Sequence, residues 1–419
     1  MNIGIDIRSL MNKQRTGVGE YTFEFLNAVF RNTDLNQYFL FYNSYKDVSD
    51  NIPKWDYDNV HYVCTHLPNK LFSLLLCLGV IKLDKFILRH LDPFGSAQDR
   101  LPSKDPIQKE GDPSVSTSAP FGRSMFAQDD VKSLDYFFAP NLNFLSLSRK
   151  TKLILTIHDL SFEILPECYT WKRRLWHKIL RPKKMCRRAD VILTPSENTK
   201  RDIIREWGIE DSKIKVLYPG LSSVIKYQIS SRLKVEDNNE LKVGGVKLKY
   251  GLPDKYILYL GTIEPRKNIL GIISAYKKSL LLNDGYMLII AGASGWKNEE
   301  LFKVAESTTG VKYVGYVEDQ DKTDLYRQAN LFVYPSLYEG FGLPVLEALA
   351  CDTPVITSDR SSLSEVFGDH VALVNSNNIS EISKAMKVAL SSKREDIKID
   401  LGKFDWNKTA KEFLNLTKG

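Results

Sequence analysis

Short, continuous apolar runs recur along the chain, each followed by a polar or glycine-bearing turn and then by a stretch with helical spacing. Ile3 to Ile7, residues 37–43 and 60–64, Asp135 to Pro140, Lys152 to Ile157 and Ala189 to Thr194 read as strands of the first half. Tyr256 to Leu260, Tyr286 to Ala291, Lys312 to Tyr316, Leu331 to Val333 and the run ending at Thr357 to Asp359 read as strands of the second. Unbroken apolar strands alternating with helices indicate parallel sheets covered on both faces, so the pattern predicts a doubly wound α/β protein. A chain of 419 residues exceeds the roughly 250 to 300 at which one core stops growing, so two domains are expected. Two stretches break the alternation. Residues 92–130, rich in Pro, Ser, Asp, Gln and Gly, read as an irregular insertion, and Ser222 to Lys249 reads as polar and irregular.

The run from Tyr334 to Asp359 organises the rest. Leu331 to Val333 is a buried strand, Pro335 and Gly340 punctuate a turn, and Leu343 to Ala350 has helical composition. The first N–H groups of a helix are unpaired and its dipole is positive there, so the turn Gly340, Phe341, Gly342 and Leu343 suits a phosphate or pyrophosphate. Glu339 before the glycines and Glu347 one turn into the helix would repel such a guest unless they contact its hydroxyls. Hydroxylated groups on both sides of a pyrophosphate describe a nucleotide sugar, with one Glu on the sugar and the other on the ribose.

The phrase EGFGLPVLEA, with its two Glu seven residues apart, resembles the signature of the retaining GT-B glycosyltransferases of family 4, the glycosyltransferase group 1 family. That resemblance implies a GT-B fold, in which two doubly wound Rossmann-like domains face each other across a cleft. It implies a first, acceptor-side domain at 1–220, a hinge near Val216 to Leu221, a donor-binding domain at 221–400 and a terminal helix at 401–419 crossing back to the first domain. Glu339 would hold sugar hydroxyls and Glu347 the ribose.

Other phrases extend the likeness. A histidine at a strand's carboxyl end, as His158 is, can donate to a sugar hydroxyl or interact with charge developing at the anomeric carbon, and the plain alternative is a His satisfied by Asp159; TIHDL resembles the family's His-Asp element, which implies His158 near the reacting carbon. GTIEPRKN after Tyr256 to Leu260 offers Gly261 for close backbone approach, and Arg266 and Lys267 as cations for a leaving pyrophosphate. Lys267 matches the family's Lys, whereas Thr262 stands where relatives carry Arg, and Arg266 substitutes by proximity. RTGVGEYT implies Gly17 and Gly19 as cleft-lining residues in a loop before the helix Tyr21 to Phe30, with an ordinary turn as the alternative. The strand end at Gly315 would meet the base. EPRKN is common among polysaccharide-type members, which makes GDP-mannose the favoured donor over a UDP-sugar.

Composition narrows the partners. A net charge of +7 favours acidic partners such as lipid headgroups or phosphorylated carriers and is too small and dispersed for nucleic acid. Five scattered cysteines without metal-ligand spacing suit a reducing compartment. No Asp-x-Asp pair stands in the position a metal-dependent transferase of the other major fold would want, and no apolar run reaches the ~20 residues of a spanning helix, so a metal-free cytoplasmic enzyme is expected, at the inner face of the membrane if bound there. Its partners would be a nucleotide sugar and a saccharide or lipid-linked acceptor. WKRRLWHKILRPKKMCRR, Trp171 to Arg188, is a basic amphipathic stretch that either lies in a lipid interface or packs its apolar face into the first domain. Ser196 is a helix-capping candidate. Competing functions are a sugar phosphorylase or epimerase on the same fold and a catalytically silent nucleotide-sugar binder. A dinucleotide reductase lacks its full glycine fingerprint.

Overall fold

The computed structural model describes residues 1–32, 35–91, 133–232, 240–392 and 399–418; the insertion expected at 92–130 lies outside them. The fold is α/β, built as expected from parallel sheets. One compact unit comprises Met1–Met11, Asp34–Phe138 and Phe144–Lys152. It carries β1 (Asn2–Asp6), β2 (Gln37–Asn43), β3 (Val60–Thr65) and most of β4 (Tyr136–Ala139), ordered β3-β2-β1-β4 and paired in parallel. Ile3 lies between Tyr38 and Tyr136 and Ile5 between Leu40 and Phe138. Ile3, Ile5, Phe41 and Phe137 are fully buried, the burial that a run apolar on both faces provides for.

The second unit gathers Asn12–Thr33, Ala139–Asn143 and Leu153–Gly419. It contains β5 (Lys152–Thr156, bar its first residue), β6 (Val191–Thr194) and β7 (Ile214–Val216), again parallel. Its larger sheet has six parallel strands: β8 (Tyr256–Leu260), β9 (Met287–Ala291), β10 (Val311–Gly315), β11 (Leu331–Tyr334), β12 (Val355–Ser358) and β13 (Ala372–Val374). Their order is β10-β9-β8-β11-β12-β13. The winding starts at β8, runs out to β10, and returns to the other side of β8 with β11. Ligands of open α/β sheets bind beyond the carboxyl ends of the strands at such a reversal. The loops leaving β8 and β11 are therefore neighbours, and the Leu337 N–H donates to the Arg266 carbonyl at 2.9 Å between them.

Two local expectations change. The first helix runs from Gly17 to Arg31, so Gly17 and Gly19 belong to its first turn and not to a loop. The Glu20 N–H already donates to the Thr16 carbonyl at 2.8 Å. The handicap of about 1 kcal/mol per helical glycine is outweighed by burial of Tyr21, Phe25, Leu26 and Val29. The polar stretch after Leu221 also folds into helices, Ser223–Arg232 and Glu240–Tyr250. The Glu24 carboxylate accepts the Ser223 N–H at 2.8 Å, and Ile225 and Val246 are buried, so tertiary anchors supply what the pattern lacks. At the other end of the chain, the helix Trp406–Leu416 lies on Gly17–Arg31. Trp406 meets Tyr21 edge-on at 5.2 Å between ring centres, and Phe413 meets Phe25 at 5.1 Å. No helix among the described residues is long and apolar enough to cross a membrane.

Candidate functional site

Two loops at the winding reversal supply the charged groups. After β8, Gly261 comes so close to the next loop that a Cβ on Gly292, at φ 134°, would stand 1.9 Å from the Gly261 carbonyl oxygen. Only glycine fits there. The chain then turns through Pro265–Lys267 into Asn268, which adopts φ 57° and is held by its side-chain amide donating to the Ser376 carbonyl at 2.7 Å. This turn aims Arg266 and Lys267 at the loop after β11.

Glu339 receives them. Its buried carboxylate accepts from Lys267 Nζ at 2.5 Å and pairs with Arg266 at 2.9 Å. Burial alone would raise its pKa, but the Arg266 and Lys267 charges outweigh it and bring the carboxyl down to about 2. Arg266 donates further to the Tyr338 carbonyl at 2.6 Å and to Glu264 at 2.7 Å, with Asp159 at 3.9 Å. Burial disfavours the guanidinium charge, yet Glu339, Glu264 and Asp159 hold its pKa well above the ordinary value. Lys267 also donates to the Tyr334 hydroxyl at 2.6 Å; burial, then Arg266, push its pKa down. Sequence reasoning counted two available cations. The structure shows both already engaged by carboxylates, Glu264 among them, which the EPRK phrase contained but did not single out.

His158 follows β5. Its Nε2 lies 2.8 Å from the Pro140 carbonyl, which can only accept, so Nε2 carries the hydrogen. Burial lowers the ring's pKa, leaving it neutral at pH 7 with the lone pair on Nδ1. The expected donation to a sugar hydroxyl is thereby corrected: the one N–H is spent on Pro140, and Nδ1 offers an acceptor. Tyr21 packs edge-on against the imidazole at 4.7 Å, which brings the helix bearing Gly17 and Gly19 beside it.

Gly340 joins His158 to the β11 loop. A Cβ on Gly340 would lie 1.8 Å from the His158 carbonyl oxygen, so the contact requires glycine. The Ser196 hydroxyl caps the helix Glu197–Trp207 by accepting the Thr199 N–H at 3.2 Å, as expected of it, and donates to the Gly340 carbonyl at 2.6 Å. Tyr338 donates to Asp202 on the same helix at 2.5 Å. Gly342, at φ 105°, opens the helix Leu343–Ala350. The N–H groups of Phe341, Gly342 and Leu343 find no acceptor among the described residues, the arrangement that draws an anion to a helix start. The Phe341 ring is packed into the core against Tyr218, Phe367 and Phe404, so only its backbone serves the turn.

Glu347 belongs to a second set. It is buried and accepts the Tyr326 hydroxyl at 2.9 Å; burial raises its pKa, and Lys322 offsets this in part. Lys322 pairs with Asp319 at 2.6 Å. Glu20, in the first turn of Gly17–Arg31, has its carboxyl pushed up to about 7 by burial and by Asp319. Neither Glu20 nor Lys322 had any signal in the sequence, because no local spacing joins them. Gly315, at φ 80°, ends β10 and its carbonyl accepts the Gly292 N–H at 2.7 Å. No group of three or more His, Cys, Asp or Glu side chains among the described residues is placed to hold a metal ion.

Residues 247–400 match the family described as "Glycosyl transferases group 1", and residues 130–223 match "Glycosyltransferase Family 4". The O-antigen chain mannosyltransferase B of Escherichia coli is 36% identical over 267 residues, covering 62% of this chain and 66% of that protein. The serotype-specific mannosyltransferase WbdA of Escherichia coli is 33% identical over 237 residues, covering 53% of this chain and 28% of that protein. The matched stretch thus spans just under two thirds of the first relative and about a quarter of the second. Among solved structures, Anabaena Alr3699/HepE in complex with UDP and glucose superposes with a TM-score of 0.61 at 12% identity, over 100% of this chain and 99% of that one. That likeness is one of fold.

Proposed function

Because this chain belongs to the glycosyltransferase group 1 family, with the family 4 region ahead of it, we propose that it transfers a hexose from a nucleotide sugar to a saccharide or lipid-linked saccharide in cell-surface polysaccharide synthesis. The reading includes GDP-mannose as donor and retention at the anomeric carbon, with 1–220 on the acceptor side and 221–400 on the donor side. Relatives named as mannosyltransferases, one of them of the O-antigen chain, support mannose.

One observation carries the reading: a buried carboxylate, Glu339, paired with two cations beside amide hydrogens at a helix start. The donor's diphosphate lies on those N–H groups. Its sugar hydroxyls donate to Glu339 in place of Lys267, and the released ammonium turns to the phosphate. The bond from the anomeric carbon to the phosphate oxygen breaks, and the acceptor hydroxyl oxygen bonds the same face. The acceptor's proton goes to the departing phosphate, whose charge Lys267 and Arg266 meet without a metal ion. His158 Nδ1 accepts from a hexose hydroxyl, and Glu347 accepts from the ribose.

Thermal shift and donor hydrolysis are measured with GDP-mannose, UDP-glucose, UDP-galactose and UDP-N-acetylglucosamine. GDP-mannose gives the largest response, Lys267→Ala lowers transfer by about a hundredfold or more, and EDTA leaves the rate unchanged. Full transfer by Lys267→Ala overturns the site, and a stronger response to a UDP-sugar overturns the donor.

A further inference from the structure

The helix Trp171–Leu180 has two unlike faces. On one, the Arg173 guanidinium lies 3.9 Å from the centre of the Trp296 ring, His177 stacks on Phe162 at 4.2 Å, and Leu180 is buried. Residues 173, 177 and 180 follow the three-and-four spacing of a single helix face, so this is the side turned to the protein. On the other, Trp171, Leu175 and Ile179 are 64%, 46% and 48% exposed. They stand four residues apart and form one line along the helix. The sequence left open whether this apolar set packs into the fold; the structure turns it outward.

Cations surround that line. Lys172, Arg174 and Lys178 are exposed on the same helix, and Lys184 and Arg187 are exposed on Pro182–Arg188, which follows after Arg181 at φ 55°. Neither helix contains Asp or Glu. A cationic face that also exposes tryptophan and long aliphatic side chains lacks the charge balance of an ordinary solvated helix. It matches an interface in which apolar groups enter the headgroup boundary while Lys and Arg reach acidic headgroups.

We propose that the outward face of Trp171–Leu180, extended by Pro182–Arg188, docks on an anionic lipid bilayer. Trp171, Leu175 and Ile179 enter the headgroup region and Lys172, Arg174 and Lys178 engage acidic lipid. An acidic protein would supply the charge complement. It would not call for a tryptophan and two aliphatic side chains in a single line on a convex helix, which a planar apolar boundary accommodates. The proposal rests on the lipid-linked acceptor reading for its setting alone. Vesicle binding is measured without donor or acceptor, so its failure leaves the transfer reading standing and failed transfer leaves vesicle binding standing.

The full chain is floated with vesicles of phosphatidylcholine alone and with vesicles containing about 30% phosphatidylglycerol. The expected result is binding to the anionic vesicles at least about tenfold stronger than to neutral ones, weakened by salt. Leu175→Ser/Ile179→Ser and, separately, Lys172→Gln/Lys178→Gln each lower it by about tenfold, with an unchanged urea unfolding midpoint as proof of folding. Equal binding to both vesicle types, wild-type binding by both variants, or capture by polyglutamate as strong as by the anionic vesicles overturns the proposal. If one variant fails to fold, the other decides by the same criteria.

Discussion

Glu339 is a buried charge kept ionised by Arg266 and Lys267, and that balance makes its removal costly in a particular pH range. A carboxyl whose folded-state pKa is depressed to about 2 contributes stability that is fully present above its ordinary value of 4.5 and lost as pH falls toward 2. Glu339→Gln is therefore expected to lower stability on the order of 3 kcal/mol at pH 7, with the deficit shrinking between pH 4 and 3 in urea titrations. Gly340→Ala tests a different force. Its methyl group would press on the His158 carbonyl, so a loss of about 1–3 kcal/mol and a fall in transfer are expected from denaturation and initial rates. The sequence made Glu339, Lys267 and Gly340 legible because they share short phrases with spaced glycines. It hid the Asp159 share of Arg266 and the burial of Glu20 beside Asp319, because these join residues far from one another in the chain, whereas Glu264 stood in the EPRK phrase with nothing there to mark it as a partner of Arg266.

At the scale of elements, continuous apolar strands were readable wherever both sheet faces are covered, as at Tyr256–Leu260 and Leu331–Tyr334. Helices that depend on distant anchors were not. Ser223–Arg232 starts where Glu24 takes the Ser223 N–H, and nothing local announces that partner. The tail helix was expected from the family resemblance, and its partner is now visible: Phe413 is fully buried against Phe25. Phe413→Ala should cost about 3–5 kcal/mol, read as a lowered urea midpoint with an unchanged slope.

Across the whole chain, length and alternation conveyed two parallel-sheet α/β bodies. That Asn12–Thr33 groups with residues 153–419 was not legible, since it rests on aromatic contacts such as Tyr21 with Trp406. Calorimetry should show more than one transition, as for other multi-unit chains. Donor at about a hundred times its Kd should stabilise the transition of the second unit by about 2.7 kcal/mol. Uniform stabilisation of all transitions would count against a donor site confined to that unit. One side chain in this unit also offers a means of watching it. Trp296 carries the Arg173 guanidinium on its ring, stands 5.6 Å from Tyr169 and donates its indole N–H to the Cys168 carbonyl at 2.8 Å. Its emission is thus set by three neighbours at once, and the spectrum of the intact protein minus that of Trp296→Phe provides an optical gauge of whether the loop after β9 parts from them when substrate arrives.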